Sequence, residues 1–328
     1  PSDHATVEDF MTSLAEASGR PIVRNILLAD DEDLKRHRVF IDWLHESHKK
    51  GLQVFGMGFT VRSPTILTFE DWSLWDNAQA WHEVMNGQYE DRVALMKTES
   101  VRVKLRKEID MNMVGGLGTS GPAQKLTVHS SAGYSQLDQY VDRKVADIAA
   151  DEGKHIADVI LDISLESEFK AEFVGNAYPT SAKLTKEVLD CPYVVPGISD
   201  GGAHCHFVVQ GAYPTDLLEW MVREEGLITA EQAHYQLSRL PAHMCGMEDR
   251  GIIREGAPAD IVVYNPDTIR RTPSWDKMDK LYDLPAGGWR RTQRAEGLNY
   301  TLVNGVVTFE GLDCTGATPG ELVLHGDN

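Results

Sequence analysis

Val194-Val195-Pro196-Gly197-Ile198-Ser199-Asp200-Gly201-Gly202-Ala203-His204-Cys205-His206 runs from an apolar segment straight into an acid, two glycines and two histidines. A short apolar run closed by a turn signal reads as a strand buried on both faces of a parallel sheet. An acid at the carboxyl end of such a strand points into the crevice where α/β enzymes bind ligands. Gly201 and Gly202 let backbone or substrate approach closely, and His204 and His206 add titratable groups beside Asp200. On spacing alone, a capping aspartate with locally bonded histidines fits this segment as well as a functional one.

Upstream, the same grammar recurs. Thr6 with Asp9 has the form of a capping box, and Phe10, Leu14 and Ala17 follow at helical spacing until Gly19. Pro21 to Leu28 is apolar and β-branched like a buried strand. Leu34, Val39, Phe40, Trp43 and Leu44 form the stripe of a second helix, and His48-Lys49-Lys50-Gly51 is its basic exit. Leu52 to Phe59 is the next strand. Helix, strand, helix, strand with short connections predicts an α/β parallel sheet. The pattern breaks over about 63–133, where Phe69, Trp72, Trp75 and Trp81 cluster and Met111 to Pro122 reads as a glycine-rich mobile loop. This stretch reads as an insertion, a lid or wall over one end of the sheet. Helices over 141–152 and 156–165, a strand over Glu172–Gly175 and a helix ending at Leu189 lead back to Val194. A long helix is predicted from about Pro214 to Glu225, and another starts at Thr229 and Gln232. After Gly246 the strands Ala259–Tyr264, Tyr300–Val303 and Val306–Phe309 form a small antiparallel unit, with Asn304-Gly305 as its hairpin turn.

The 328 residues carry 32 Lys+Arg against 50 Asp+Glu, a net charge of −18, which argues against a phosphate-binding surface for nucleic acid. No apolar run approaches the length of a membrane span, and the acidic start is no signal peptide. The four cysteines are widely spaced and offer neither a disulfide framework nor a zinc knuckle, so the expectation is a cytoplasmic enzyme.

Leu240-Pro241-Ala242, Gly246, Asp249-Arg250-Gly251-Ile252-Ile253, Gly256 and Ala259-Asp260-Ile261-Val262-Val263-Tyr264 resemble the closing signature of the amidohydrolase superfamily. The chain is similar to its N-acyl-D-amino-acid deacylase (D-aminoacylase-like) branch through three further stretches: Gly197 to His204, Asp283-Leu284-Pro285-Ala286-Gly287-Gly288-Trp289-Arg290, and Leu302 to Val307 with Thr315-Gly316-Ala317. The resemblance implies an α/β fold, part of a metal-dependent (β/α)8 TIM-like barrel with a small appended β-sandwich. Residues 1–245 would be the barrel portion and 246–328 the sandwich. It also implies hydrolysis of an amide or related C–N bond in an N-acyl-amino-acid-like small molecule, using a divalent metal, zinc by analogy, as one or two ions. Asp200 takes the place of a metal ligand that is also the proton shuttle, and His204 that of a substrate-contacting histidine. Arg24 and Asn25, on the predicted strand Pro21–Leu28, and Arg62, after the strand Leu52–Phe59, are candidates for a substrate carboxylate or carbonyl, with an internal ion pair as the plain alternative for Arg24. Asp260 matches a structural acid of the sandwich.

The family's His-x-His pair has no counterpart on an early strand here. If Asp200 closes strand eight, counting back places strand seven near Phe173, strand six at Leu52–Phe59 and strand five at Pro21–Leu28. The 328 residues then read as the carboxyl half of a longer enzyme, separated genetically or by proteolysis or given only in part; strands one to four, the His-x-His pair and further metal ligands are expected outside them, on a companion polypeptide, because an open half-barrel leaves strand edges unpaired. The rival expectation is a non-catalytic scaffold or regulatory subunit of a hetero-oligomeric complex.

Overall fold

The computed structural model describes residues 6–30, 33–70, 75, 77–111, 123–175, 179, 181–274 and 276–323. The glycine-rich loop 112–122 and Trp72 lie outside the described residues.

Helix α1 (Val7–Ser18) starts on the reciprocal Thr6–Asp9 capping box and ends at Gly19 in the left-handed region. Strand β1 (Ile22–Leu27), helix α2 (Leu34–Lys49) and strand β2 (Val54–Phe59) follow. β1 and β2 pair in parallel, Ile22 opposite Val54. Gly56 is what lets α2 lie so close to the sheet. A Cβ there would sit 3.0 Å from the Phe40 ring and 3.2 Å from Leu44. Leu27, Phe40, Leu44, Val54 and Val194 form the resulting core.

Next comes the inserted unit: β3 (Ile66–Leu67), α3 (Gln79–Met85), α4 (Tyr89–Lys97), α5 (Glu99–Asp110), β4 (Thr127–Ser130), α6 (Val145–Glu152), α7 (Ile156–Glu166) and β5 (Glu172–Val174). Here the strand at Phe173 departs from expectation. It is β5, the middle strand of an antiparallel sheet ordered β3-β5-β4, and it is absent from the parallel sheet. The cause is packing: the Phe173 ring joins the Phe69, Trp75 and Trp81 cluster, with Phe69 6.1 Å away. Helix α7 buries Ala157, Val159, Ile160, Leu161 and Ile163 in that same core. The antiparallel sheet and the helices packed on it thus run from β3 to β5.

Helix α8 (Ala182–Leu189) returns the chain to β6 (Val194–Gly197), which pairs in parallel with β2. Among the described residues the parallel sheet has three strands, ordered β1-β2-β6, where four were expected. Helix α9 (Tyr213–Asp216) continues as a π-helical stretch Leu217–Glu224. Helix α10 (Ala230–His234), capped by Thr229, passes through the π-helical Tyr235–Arg239 into α11 (Leu240–Met244).

The tail is antiparallel, as predicted. β7 (Ile261–Tyr264), β12 (Leu298–Val303), β13 (Val306–Glu310) and β14 (Asp313–Cys314) form one sheet. β8 (Arg270–Thr272) pairs with β11 (Arg294–Glu296), and β9 (Asp279–Leu281) with β10 (Arg290–Thr292). The β12–β13 turn places Asn304 and Gly305 at φ of 47° and 78°, the left-handed pair that an Asn-Gly hairpin requires. Asp260 is structural: it accepts from the Asn304 N–H at 2.9 Å. Among the described residues no helix is long and apolar enough to cross a membrane.

Candidate active site

Beyond β6 the backbone is strained. Ile198, buried, has φ 71° and Asp200 φ 43°. A β-branched residue in the left-handed region is a true outlier, and such outliers persist only where the surroundings hold them. The Asp200 carbonyl accepts from the N–H groups of Ala203 and His204 at 3.3 Å each, and the Ser199 hydroxyl accepts from the Gly201 N–H at 3.3 Å. These bonds fold residues 199–204 into a tight turn that carries Asp200 at its start.

Asp200 lines a cavity of about 500 Å³ between this loop and the tail. Cys205, Gln210 and Thr215 share its wall, faced by Arg290, Arg291 and Arg294. Two of the arginines are neutralised in place. Arg290 donates to both carboxylate oxygens of Asp283, at 2.9 and 2.7 Å. Arg291 donates to Glu172 at 2.8 Å, to the His206 carbonyl at 2.7 Å, and through its N–H to the Cys205 carbonyl at 2.7 Å. Burial pushes the Glu172 carboxyl up, but Arg291 and Lys280 beside it outweigh burial and hold it below the usual carboxylate range.

The other sequence candidates do not converge on Asp200. Arg24 is paired with Glu8 of α1, and its guanidinium lies over the rings of Phe40 and Trp43, 4.3 and 5.7 Å from their centroids. This is the internal ion pair, on the helix-covered face of β1. Arg62 holds Asp216 from its Nε and Nη2 at 3.0 and 2.8 Å, and Glu224 at 3.1 Å. Its guanidinium is committed to that network instead of a ligand. His204 is half-buried in the turn and does not line the cavity. His206 stacks on Trp289 with centroids 4.1 Å apart, which makes it a packing residue of the loop. Gln210, Thr215 and a cavity-lining role for the tail arginines went unread in the sequence. The Asp283 to Arg290 motif was their nearest signal, while Gln210 carries none.

The donor set does not by itself fit a metal. Among the described residues no group of three or more His, Cys, Asp or Glu is placed to hold an ion. Asp200 therefore offers at most one ligand, and the described residues of this chain do not form a metal centre.

A carboxylate on a strained turn at the carboxyl edge of a parallel sheet, roofed by an antiparallel tail, is the layout of an α/β enzyme site. The chain belongs to the amidohydrolase family, whose model matches residues 136–309, more than half its length. Its relatives include the N-acyl-D-glutamate deacylase of Alcaligenes xylosoxydans xylosoxydans, 35% identical over 114 residues, 34% of this chain and 20% of that protein. The D-aminoacylase of the same organism is 28% identical over 130 residues, 39% of this chain and 24% of that protein. The structure of the N-acyl-D-glutamate deacylase from Bordetella bronchiseptica, complexed with zinc and a phosphonate inhibitor, matches with a TM-score of 0.50. That match has 17% identity and covers 94% of this chain and 52% of that one, so it establishes the α/β fold alone. The chain thus spans about half of that structure and matches about a fifth of the first curated relative.

Proposed function

We propose that this chain forms part of a hydrolase that cleaves the amide bond of an N-acyl-amino-acid-like small molecule, with Asp200 as its proton carrier. The observation that carries the reading is Asp200 itself, held on the strained turn after β6 and facing a 500 Å³ cavity. Family membership and the names of the deacylase relatives support the reaction class. Asp200 would accept the proton of the attacking water and return it to the leaving nitrogen, so that amide and water become acid and amine. A divalent metal such as the zinc of the Bordetella enzyme would need most of its ligands from outside the described residues. We read β1, β2 and β6 as neighbouring strands of a larger (β/α)8 barrel. The remainder of that barrel, including the His-x-His pair, would be supplied by a companion polypeptide. The β1 edge, which pairs with no second strand among the described residues, and the exposed Val7, Phe10 and Leu14 of α1 support this arrangement.

Asp200→Asn in the complete assembly tests the mechanism. Turnover of N-acyl-amino acids is expected to vanish with far-UV circular dichroism unchanged, and retained turnover refutes it. The incomplete donor set favours a second reading, a non-catalytic scaffold. Metal analysis separates the two: an assembly with stoichiometric zinc, manganese or iron supports the hydrolase, and one without supports the scaffold.

A further inference from the structure

We propose that His155 is a pH-sensitive cap on helix α7: the neutral ring closes the helix, and its protonation leaves the ring with Asp110 and frees the first turn. This switch sits in the inserted unit, outside the wall of the Asp200 cavity, and needs no part of the hydrolase reading.

The ring is bonded at both nitrogens. His155 has an extended backbone, φ −77° and ψ 148°, and stands immediately before Ile156, the first residue of α7. Its Nδ1 accepts from the Ala157 N–H at 3.0 Å, and its Nε2 lies 3.0 Å from Oδ1 of Asp110, the last residue of α5. A backbone N–H can only donate, so Nδ1 must present a lone pair. The proton of the neutral ring then sits on Nε2 and is donated to Asp110. An imidazolium carries a proton on each nitrogen and has no lone pair. Its Nδ1–H would face the Ala157 N–H, two donors with no acceptor between them, and its charge would oppose the positive end of the helix dipole. Asp110 favours the charged ring and the cap favours the neutral one, so the two bonds pull the same group in opposite directions.

The neighbouring charges are committed elsewhere. On α5, Arg102 and Arg106 hold Asp158 at 3.1 and 2.7 Å, Arg106 also holds Glu99 at 2.7 Å, and Lys104, Lys107 and Glu108 line a cleft with Gln79 and Glu83 of α3. Lys154 is 3.0 Å from Glu152 of α6 and 3.1 Å from Asp162 of α7, and Asp151 of α6 pairs with Arg143. Asp147 of α6, Lys125 of the turn 123–125 and Glu166 at the far end of α7 complete the charges on the elements that pack here. Among the described residues Asp110 pairs with His155 alone. The other helices closed by a side-chain bond among these residues use Thr6, Asp33, Ser181 and Thr229. None of those side chains changes charge between pH 5 and 8, whereas an imidazole does. Behind the cap, α7 carries Ala157, Val159, Ile160, Leu161 and Ile163 into the core of the inserted unit. One ring thus joins the end of α5 to the start of the core helix, through a bond that only its neutral form can make.

Amide hydrogen exchange of the full chain in its complete assembly, followed from pH 8 to 5 and corrected for the intrinsic rate, tests the switch. Protection of the Ala157 amide should fall at least about tenfold across that range, while the amides of α6 hold constant. His155→Asn keeps a capping oxygen that does not titrate, so its protection should stay high and flat. His155→Ala should be weakly protected at every pH. Asp110→Asn keeps an acceptor for Nε2–H but removes the charge that favours the imidazolium, so the fall should move to lower pH. Nitrogen-15 spectra of the ring should show Nδ1 unprotonated at pH 8. A parent profile as flat as that of His155→Asn overturns the proposal. So does an Nδ1–H tautomer at pH 8, or a fall that Asp110→Asn leaves in place or moves to higher pH.

Discussion

Replacing Asp216 by alanine removes an anion on which two guanidinium groups converge. Its Oδ1 accepts from Arg62 Nε and Nη2 at 3.0 and 2.8 Å and from Arg271 Nη2 at 2.7 Å, while Oδ2 accepts from the Arg62 backbone N–H at 2.7 Å. The loss is not shared evenly. Arg62 keeps Glu224 and some solvent, with a side chain 12% exposed, whereas the side chains of Arg271 and Asp216 are both 0% exposed. Burial already pulls the Arg271 pKa down, with the Asp216 charge the main force opposing it, and its buried Nε has no partner. Removing one member of a buried pair strands the other at a cost of about 3–5 kcal/mol. With Arg271 fully buried, Asp216→Ala belongs near the upper end of that range. This is a large part of the roughly 5–15 kcal/mol that holds a domain together. The pair Asp216→Leu with Arg271→Met should recover most of the loss, because no charge is then left in the core. Urea denaturation followed by tryptophan fluorescence, with a common slope for all variants, gives the differences. A loss below about 1 kcal/mol for Asp216→Ala would show that the network is solvated and the reasoning wrong.

At Gly297, φ is 87° and a Cβ would lie 2.7 Å from the Ile269 backbone nitrogen, so Gly297→Ala should cost at least about 2 kcal/mol and lower the thermal midpoint. Asp200→Gly should stabilise the fold by about 0.5–1 kcal/mol, since glycine accepts φ 43° without strain, while abolishing turnover; calorimetric melting below the parent would contradict the strain assignment. Glu187 titrates at about 2, held down first by Arg38 and then by His37. A depressed folded-state pKa gives stability that is full above the ordinary carboxylate range and is lost as pH falls toward 2. Glu187→Gln should therefore flatten the parent's decline in thermal midpoint between pH 5 and 2, and an unchanged slope would exclude this contribution.

Local signals were the legible ones. The Thr6–Asp9 box, the apolar runs of β1, β2 and β6, the Asn304-Gly305 turn and the placement of Asp200 each rest on a few adjacent residues. Pairings over long distance were not legible. Glu172-Phe173-Val174 has the local character of any buried strand, and its true partners include the two-residue β3, which has no periodicity to read. Arg24 and Arg62 looked like ligand-binding cations because their acids lie far off in sequence, 16 residues away for Glu8 and 154 for Asp216. The π-helical stretch after Asp216 followed an ordinary helical pattern, since i→i+5 pairing leaves no signature in composition.

The tail does more than close the fold, because it shapes the Asp200 turn. A loop carrying Ile198 at φ 71° and Asp200 at φ 43° relaxes unless its neighbours fix it from several directions. Arg291 supplies two of those fixings, to the Cys205 and His206 carbonyls at 2.7 Å each, and the stack of Trp289 on His206 supplies a third. The far side of Arg291 is bound to Glu172, the buried acid of β5, at 2.8 Å. One guanidinium thus joins the inserted unit, the tail and the loop after β6. Lengthening or loosening any of the three would be felt at Asp200 through Arg291. From β5, where apolar packing holds Phe173, its neighbour Glu172 reaches the arginine that holds the loop.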